Sequence, residues 1–307
     1  MSLLVIGTMA FDAIETPFAK VDSIIGGAAT FITLSASFFV QPVNLVAVIG
    51  YDYPQETVDD LVRRGVNIEG LQRKTDQKSF FWAGKYHNDL NTRDTVATEL
   101  NVLADFDPVL PDSYQGTPFV LLGNLTPSVQ MQVIERMKDR PQLIAMDTMN
   151  FWMDIALDSL LETIEKVDLL TINDEEARQL TGEFSLIKAG KKILTMGPKY
   201  AVIKKGEHGA LLFYEDQVFV APALPLEEVF DPTGAGDSFA GGMMGYLARQ
   251  GEVTFDNLKN AIIYGSTLAS FCVEDFGPRR LLTLTKDEIR QRYLAFQQIS
   301  AYNQTLI

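Results

Sequence analysis

The chain has 307 residues, 47% of them hydrophobic, which suits one packed domain of about 200–250 residues carrying an elaboration. Forty acidic against 26 basic residues leave a net charge of -14, a field that repels phosphodiester backbones and anionic headgroups and excludes nucleic acid and membrane surfaces as expected partners. A single cysteine, Cys272, and two histidines exclude an intrachain disulfide, a multi-thiolate zinc site and a three-histidine site.

No apolar run approaches the roughly 18 residues of a membrane helix, and Asp12 precedes the first basic residue, Lys20, so a cytoplasmic protein without a targeting signal is expected. Leu3–Gly7 reads as a strand, with Asp12 a few residues beyond it, near the end at which parallel sheets open their ligand crevice. Gly26-Gly27 precedes a helix rich in small residues, Ala28–Phe39; strand Asn44–Gly50 and helix Pro54–Arg64 follow. From about Val66 to Asn101 the helical period is lost. Aromatic and β-branched residues cluster there in two runs around an Asn-Asp-Leu-Asn turn at 88–91, which predicts an inserted hairpin. Within Ser79–His87 a two-residue period puts Phe80, Trp82 and Tyr86 on one face and Phe81, Lys85 and His87 on the other, as suits a lid.

The alternation then resumes, with strands at Phe119–Gly123, Leu143–Asp147, Leu169–Asn173 and Ala201–Lys205 and helices at Pro127–Lys138, Ile155–Lys166 and Asp174–Thr181. Asn124, Asp147 and Asn150 fall at crevice positions after strands. Asn173 ends a strand and Glu176 lies one helical turn on, a pair that by itself reads as an acidic helix start. Gly206-Glu207-His208-Gly209 joins two strands, and Lys204 and Lys205 beside it are placed to reach a nucleotide phosphate. There is no internal repeat, low-complexity tract or polar linker.

The densest information lies in Asp231–Gly242, Asp-Pro-Thr-Gly-Ala-Gly-Asp-Ser-Phe-Ala-Gly-Gly. A glycine turn opening a helix aims several N–H groups one way and adds the positive end of the helix dipole, which attracts a phosphoryl oxygen. Asp237 falls in the first helical turn, as a cap or as a base facing whatever the turn binds. Gly241, Gly242 and Gly245 each cost about 1 kcal/mol relative to alanine inside a helix, so a close backbone approach is expected to compensate.

At this segment the chain resembles the ribokinase-like, or PfkB-type, carbohydrate kinases, whose signature is Asp-Thr-x-Gly-Ala-Gly-Asp; Pro232 stands where Thr is common. The likeness covers the whole chain, because Gly26-Gly27, Asn173–Glu176 and Gly206-x-x-Gly209 occur in the family's order. It implies an α/β fold: a three-layer, doubly wound, mostly parallel sheet in one domain over 1–307, with a small β lid from about 13–25 and 66–101. In such a kinase Asp237 is the base toward the substrate hydroxyl, and the amides of Gly234, Ala235 and Gly236 form the anion hole. Asp12, Gly26 and Gly27 would hold the sugar, with Phe31 where most relatives place Asn, and Asn124 nearby in the crevice. Asn173 and Glu176 would organise magnesium and phosphate through water, Gly206 and Gly209 would border adenine and ribose, and a monovalent cation such as K+ would sit near Asp231.

The expected activity is ATP- and Mg2+-dependent phosphorylation of an alcohol group of a sugar or nucleoside. Lid aromatics and Phe31, as stacking surfaces, favour the nucleoside, and the scarcity of basic residues near the pocket disfavours a phosphosugar. The aromatic lid edge also raises the expectation of a homodimer through the lid. Other classes lose their motifs: the chain has neither Gly-x-x-x-x-Gly-Lys-Ser/Thr nor Gly-x-Gly-x-x-Gly after the first strand, and no histidine follows His208 to serve Ser238 as a hydrolase nucleophile. A catalytically idle ligand-binding protein on the same scaffold is the alternative, and the intact Asp237 and Gly-Ala-Gly turn speak against it.

Overall fold

The computed structural model describes residues 1–301; the end of the domain expected over 1–307 lies outside the described residues. The chain opens with β1 (Leu3–Ile6), β2 (Ala10–Glu15), β3 (Lys20–Gly26), α1 (Ala28–Ser37), β4 (Val43–Ile49), α2 (Gln55–Arg63) and β5 (Val66–Arg73). The hairpin β6 (Phe80–Tyr86) and β7 (Arg93–Glu99) follows, then β8 (Phe119–Leu122), α3 (Pro127–Arg136), β9 (Leu143–Asp147), α4 (Asn150–Ile155), α5 (Leu157–Lys166), β10 (Leu169–Asn173), α6 (Asp174–Thr181) and α7 (Leu186–Leu194). The last part contains β11 (Tyr200–Lys204), β12 (Ala210–Tyr214), β13 (Gln217–Ala221), α8 (Ala235–Gln250), α9 (Phe255–Cys272), α10 (Arg279–Thr283) and α11 (Lys286–Ser300).

Nine strands form the main sheet in the order β13-β12-β11-β10-β9-β8-β1-β4-β5, with β12 alone reversed, so that its pairings with β11 and β13 are antiparallel. Because side chains alternate along a strand, Leu3 and Val5 of β1 enter a core with α1, α2, α8 and α9, whereas Leu4 and Ile6 enter a second core with α3, α5, α6 and α7. Both faces are covered, giving three layers. After β1 the chain winds outward through β4 and then returns through β8 on the other side, so the order reverses beside β1 and the crevice opens at those carboxyl ends.

The glycines of α8 do compensate by close approach. A Cβ at Gly241 would strike the Ile32 carbonyl of α1, and one at Gly245 would lie 2.8 Å from Ala36 Cα. Their absence lets α1 and α8 pack backbone to backbone beneath the crevice.

The lid is a separate four-stranded sheet in the order β3-β2-β6-β7. Its boundary differs from expectation: Val66–Arg73 is not lid but the edge of the main sheet, paired in parallel with β4 from Val43↔Val66 to Ile49↔Arg73. The partner is decided by the short α2 connection, which returns the chain beside β4. The lid register places Asp12 opposite Trp82 and Ala10 opposite Phe80, so the carboxylate and the two rings share the face over the crevice. Among the described residues no helix is long and apolar enough to cross a membrane.

Candidate active site

Two cavities adjoin at the start of α8. The first, about 520 Å³, lies between the lid and the strand ends and is lined by Asp12, Gly27, Phe80, Trp82, Tyr86, Arg93, Asn124 and Asp237 among others. The second, about 510 Å³, lies between the Gly206–Gly209 loop, the 223–229 segment and α9. Lys204, Gly206, Pro232, Ala235 and Gly236 line both, whereas Asp237 lines only the first.

The shared wall is the glycine turn. Gly234 caps α8 at φ 78°, a left-handed conformation that carries no steric penalty for glycine, and a Cβ there would meet the Phe31 ring at 2.5 Å. The amides of Gly234 and Gly236 find no acceptor among the described residues, as an anion hole requires. The Ala235 amide, expected beside them, turns back instead to the Pro232 carbonyl at 3.2 Å. Asp231 holds the turn from beneath: it is fully buried, one carboxylate oxygen accepting from the Thr233 amide at 2.8 Å and the other from the Gly277 amide at 2.9 Å.

Lys204 reaches this wall from the end of β11. Its ammonium lies 3.2 Å from both oxygens of Asp147 and would be 3.1 Å from a Cβ at Gly236, so it stands over the turn. Burial alone would lower its pKa, but Asp147, Glu176 and Asp237 outweigh that and hold it above its ordinary range. Asp237 is pushed the other way. Burial, then the charge of Asp147, raises it to about 7, against the pull of Lys204 and Arg93. Asp12, 5% exposed, also rises to about 7 through burial and the neighbouring charge of Asp231. Glu176, 4% exposed, rises to about 7 by burial, with Lys204 opposing and Asp147 adding. Carboxyls tuned toward neutrality in one cleft are what proton transfer and cation binding call for.

The other expected residues fall into two groups. Asn173 and Glu176 both line the first cavity but also form a reciprocal capping box, each backbone amide donating to the other's side chain at 2.8 Å, so the motif starts α6 as well as facing the crevice. Asn124 lines the cavity with its Oδ1 accepting from the Trp152 indole at 2.8 Å. Gly27, at φ 88°, lines it too, and Gly206 and Gly209 border the second cavity. Gly26 does not line either cavity: the space a side chain would need is filled by the Asp12 carboxylate. Phe31 lines the first cavity at its floor, 1% exposed and packed beneath Gly234. Asp231 lies under the turn, outside the lining of either cavity.

One participant, Arg93, carried no sequence signal, and two others, Asp147 and Tyr86, gave no sign of their partners. Arg93 opens β7 on the lid, 5.9 Å from the Trp82 ring, and its charge bears on both Asp237 and Glu176. Asp147 was legible as a crevice position but not as the partner of Lys204, 57 residues away. Tyr86 was legible as a lid-face aromatic, but its hydroxyl contact with Thr233, 147 residues on, was not.

Two cavities that share one anion-binding wall are what an enzyme needs to pass a phosphoryl group between two bound molecules, and the class so defined is the small-molecule kinases. The chain belongs to the pfkB family of carbohydrate kinases, whose sequence model matches residues 2–284. It is similar to the cytidine kinase of Thermococcus kodakarensis, 29% identical over 81% of this chain and 89% of that one. The nucleoside kinase of Methanothermobacter thermautotrophicus is 26% identical over 94% of each chain. The crystal structure of the Methanocaldococcus jannaschii nucleoside kinase, an archaeal member of the ribokinase family, superposes with a TM-score of 0.76 at 19% identity, over 96% of this chain and 98% of that one. The protein is thus an ATP-dependent kinase acting on an alcohol group of a sugar or nucleoside, and kinases of this family work with a divalent metal.

Proposed function

We propose that the acceptor is a nucleoside, bound in the first cavity, with ATP in the second and Asp237 as the base. The observation that carries this reading is the placement of Asp237 on the acceptor side alone, while Gly236 and Lys204 face both cavities. The acceptor hydroxyl gives its proton to Asp237 as its oxygen bonds to the γ-phosphorus, and the bond to the β,γ-bridging oxygen breaks, releasing ADP. The Gly234 and Gly236 amides and Lys204 take up the charge of the transferring group.

Phe80 and Trp82 offer apolar faces for a base, and Asp12, in register with Trp82, accepts from ribose hydroxyls. A phosphorylated acceptor fits less well, since Lys204 already pairs with Asp147 and Arg93 is the remaining cation lining that cavity. Mg2+ fits the site electrostatically: Glu176 and Asp237 line one region with their pKa values driven up, first by burial and then in part by the neighbouring charge of Asp147. No group of three ligating side chains surrounds a point among the described residues, so phosphate oxygens and water would supply most ligands. When bound, the metal neutralises phosphate charge. A K+ near Asp231 would rely on main-chain oxygens, because amides already engage both carboxylate oxygens. The free lid edges, β3 and β7, leave room for a homodimer.

The test is a kcat/KM panel with ATP and Mg2+ against cytidine, uridine, adenosine, inosine, ribose and fructose. Nucleosides are expected to exceed both free sugars by at least about tenfold, the contribution of one well-stacked base. A free sugar ranking first would overturn the nucleoside reading.

A further inference from the structure

Tyr86 ends lid strand β6, and its ring packs with Ile14 of β2 and Phe276 into a small cluster apart from the two main cores. The ring is 5% exposed, but the hydroxyl reaches out of the lid: Thr233 Oγ1 donates to it at 3.0 Å. Thr233 immediately precedes Gly234, and its other polar groups are held by the scaffold. Its amide donates to Asp231 and its carbonyl accepts from Cys272 Sγ at 3.5 Å. The turn is therefore fixed from below by the body of the enzyme and from above by one lid side chain. Burial pushes the Tyr86 phenol up to about 12, so it keeps its proton throughout the neutral range. The same hairpin meets the nucleotide side, where Asn91 Oδ1 would be 2.5 Å from a Cβ at Gly206.

We infer that Tyr86 is a positioning residue whose hydroxyl, when the lid is closed, fixes Thr233 and with it the Gly234–Gly236 turn, so that the anion hole is complete only beneath a closed lid. An open lid leaves the turn less ordered and the phosphoryl group poorly stabilised, which discourages transfer to water. The contact links enclosure of the acceptor to charge stabilisation at the transferring group. This rests on the kinase reading above.

Tyr86→Phe removes the hydroxyl and keeps the ring. It should lower kcat about tenfold, the effect of one well-placed hydrogen bond, with the acceptor KM within about twofold. Thr233→Val should do the same, and the double variant should be no slower than either single one, as for two ends of one interaction. Independently of activity, amide exchange of residues 233–236 in the ligand-free protein should quicken in Tyr86→Phe while the thermal midpoint stays close to that of the parent. Unchanged kcat and exchange, losses that multiply in the double variant, or a loss confined to acceptor KM would each overturn the inference. The last would make Tyr86 a direct substrate contact. If the parent phosphorylates none of the panel, the nucleoside reading fails while the exchange comparison still decides the role of Tyr86.

Discussion

The two cavities are nearly equal in volume, about 520 and 510 Å³, and differ in the carboxylates they contain. The proposed acceptor side gathers Asp12, Asp147, Glu176, Asp237 and Arg93 about the shared Lys204, while the proposed nucleotide side has an apolar wall of Leu224, Leu226, Val229, Phe239, Ala269 and Val273, with Asp89, Glu207 and His208 at its loops. The difference separates two tasks. Apolar walls supply binding that is uniform through the reaction, whereas buried charges supply interactions that change as a proton moves and phosphate charge redistributes. Substitutions on one side should therefore change kcat, and on the other KM.

The largest expected effect is at the shared wall. In Gly236→Val the added side chain displaces the Lys204 ammonium, 3.1 Å from where Cβ would lie, and turnover should fall by about 10² or more with the fold intact by circular dichroism. Arg93→Ala, on the acceptor side, should lower kcat by about ten- to a hundredfold and shift the acidic limb of the pH profile upward, because its charge helps to keep Asp237 and Glu176 ionised. Steady-state kinetics across pH measures both effects.

The parent profile has a definite sign. As the proposed base, Asp237 would act only when ionised, and its pKa is raised to about 7, so kcat/KM should fall about tenfold per unit below that pH. A flat profile between pH 5 and 7 would break the assignment of the charged cavity to chemistry. The smallest effect on turnover belongs to the nucleotide side: Ala269→Phe should raise the KM for ATP about tenfold with kcat and acceptor KM within about twofold. A large loss of kcat would blur the division between the cavities.

The fold was legible because strands and helices alternate along the chain and because Asp231–Gly242 packs a turn, a carboxylate and a close-packed helix into consecutive residues. Local signals pointed to Asp237, Gly234 and Gly236, which all line the first cavity. Pairings across long separations stayed hidden: Lys204 with Asp147, Tyr86 with Thr233, and the choice of β4 as partner for Val66–Arg73. The support that Phe31 gives Gly234 from below also stayed hidden, since an aromatic residue near a glycine pair reads the same whether it faces the ligand, holds the turn or does both. Gly26 likewise makes room for the enzyme's own carboxylate, Asp12.

The central claim is that Asp237 is the base of a phosphoryl transfer, carried at a cost to stability. With its carboxyl raised to about 7 in the folded protein, the folded state holds more protons than the unfolded one between about pH 4 and 7. Ligand-free stability contributed by this group therefore declines as pH rises through that window. Asp237→Asn removes the buried charge and the base together. The direct measurement pairs the thermal midpoint of the ligand-free variant at pH 8 with its transfer of labelled γ-phosphate to the best nucleoside. The midpoint should rise and transfer should fall by about 10² to 10⁴. Parent-like transfer in a folded Asp237→Asn protein would contradict the account.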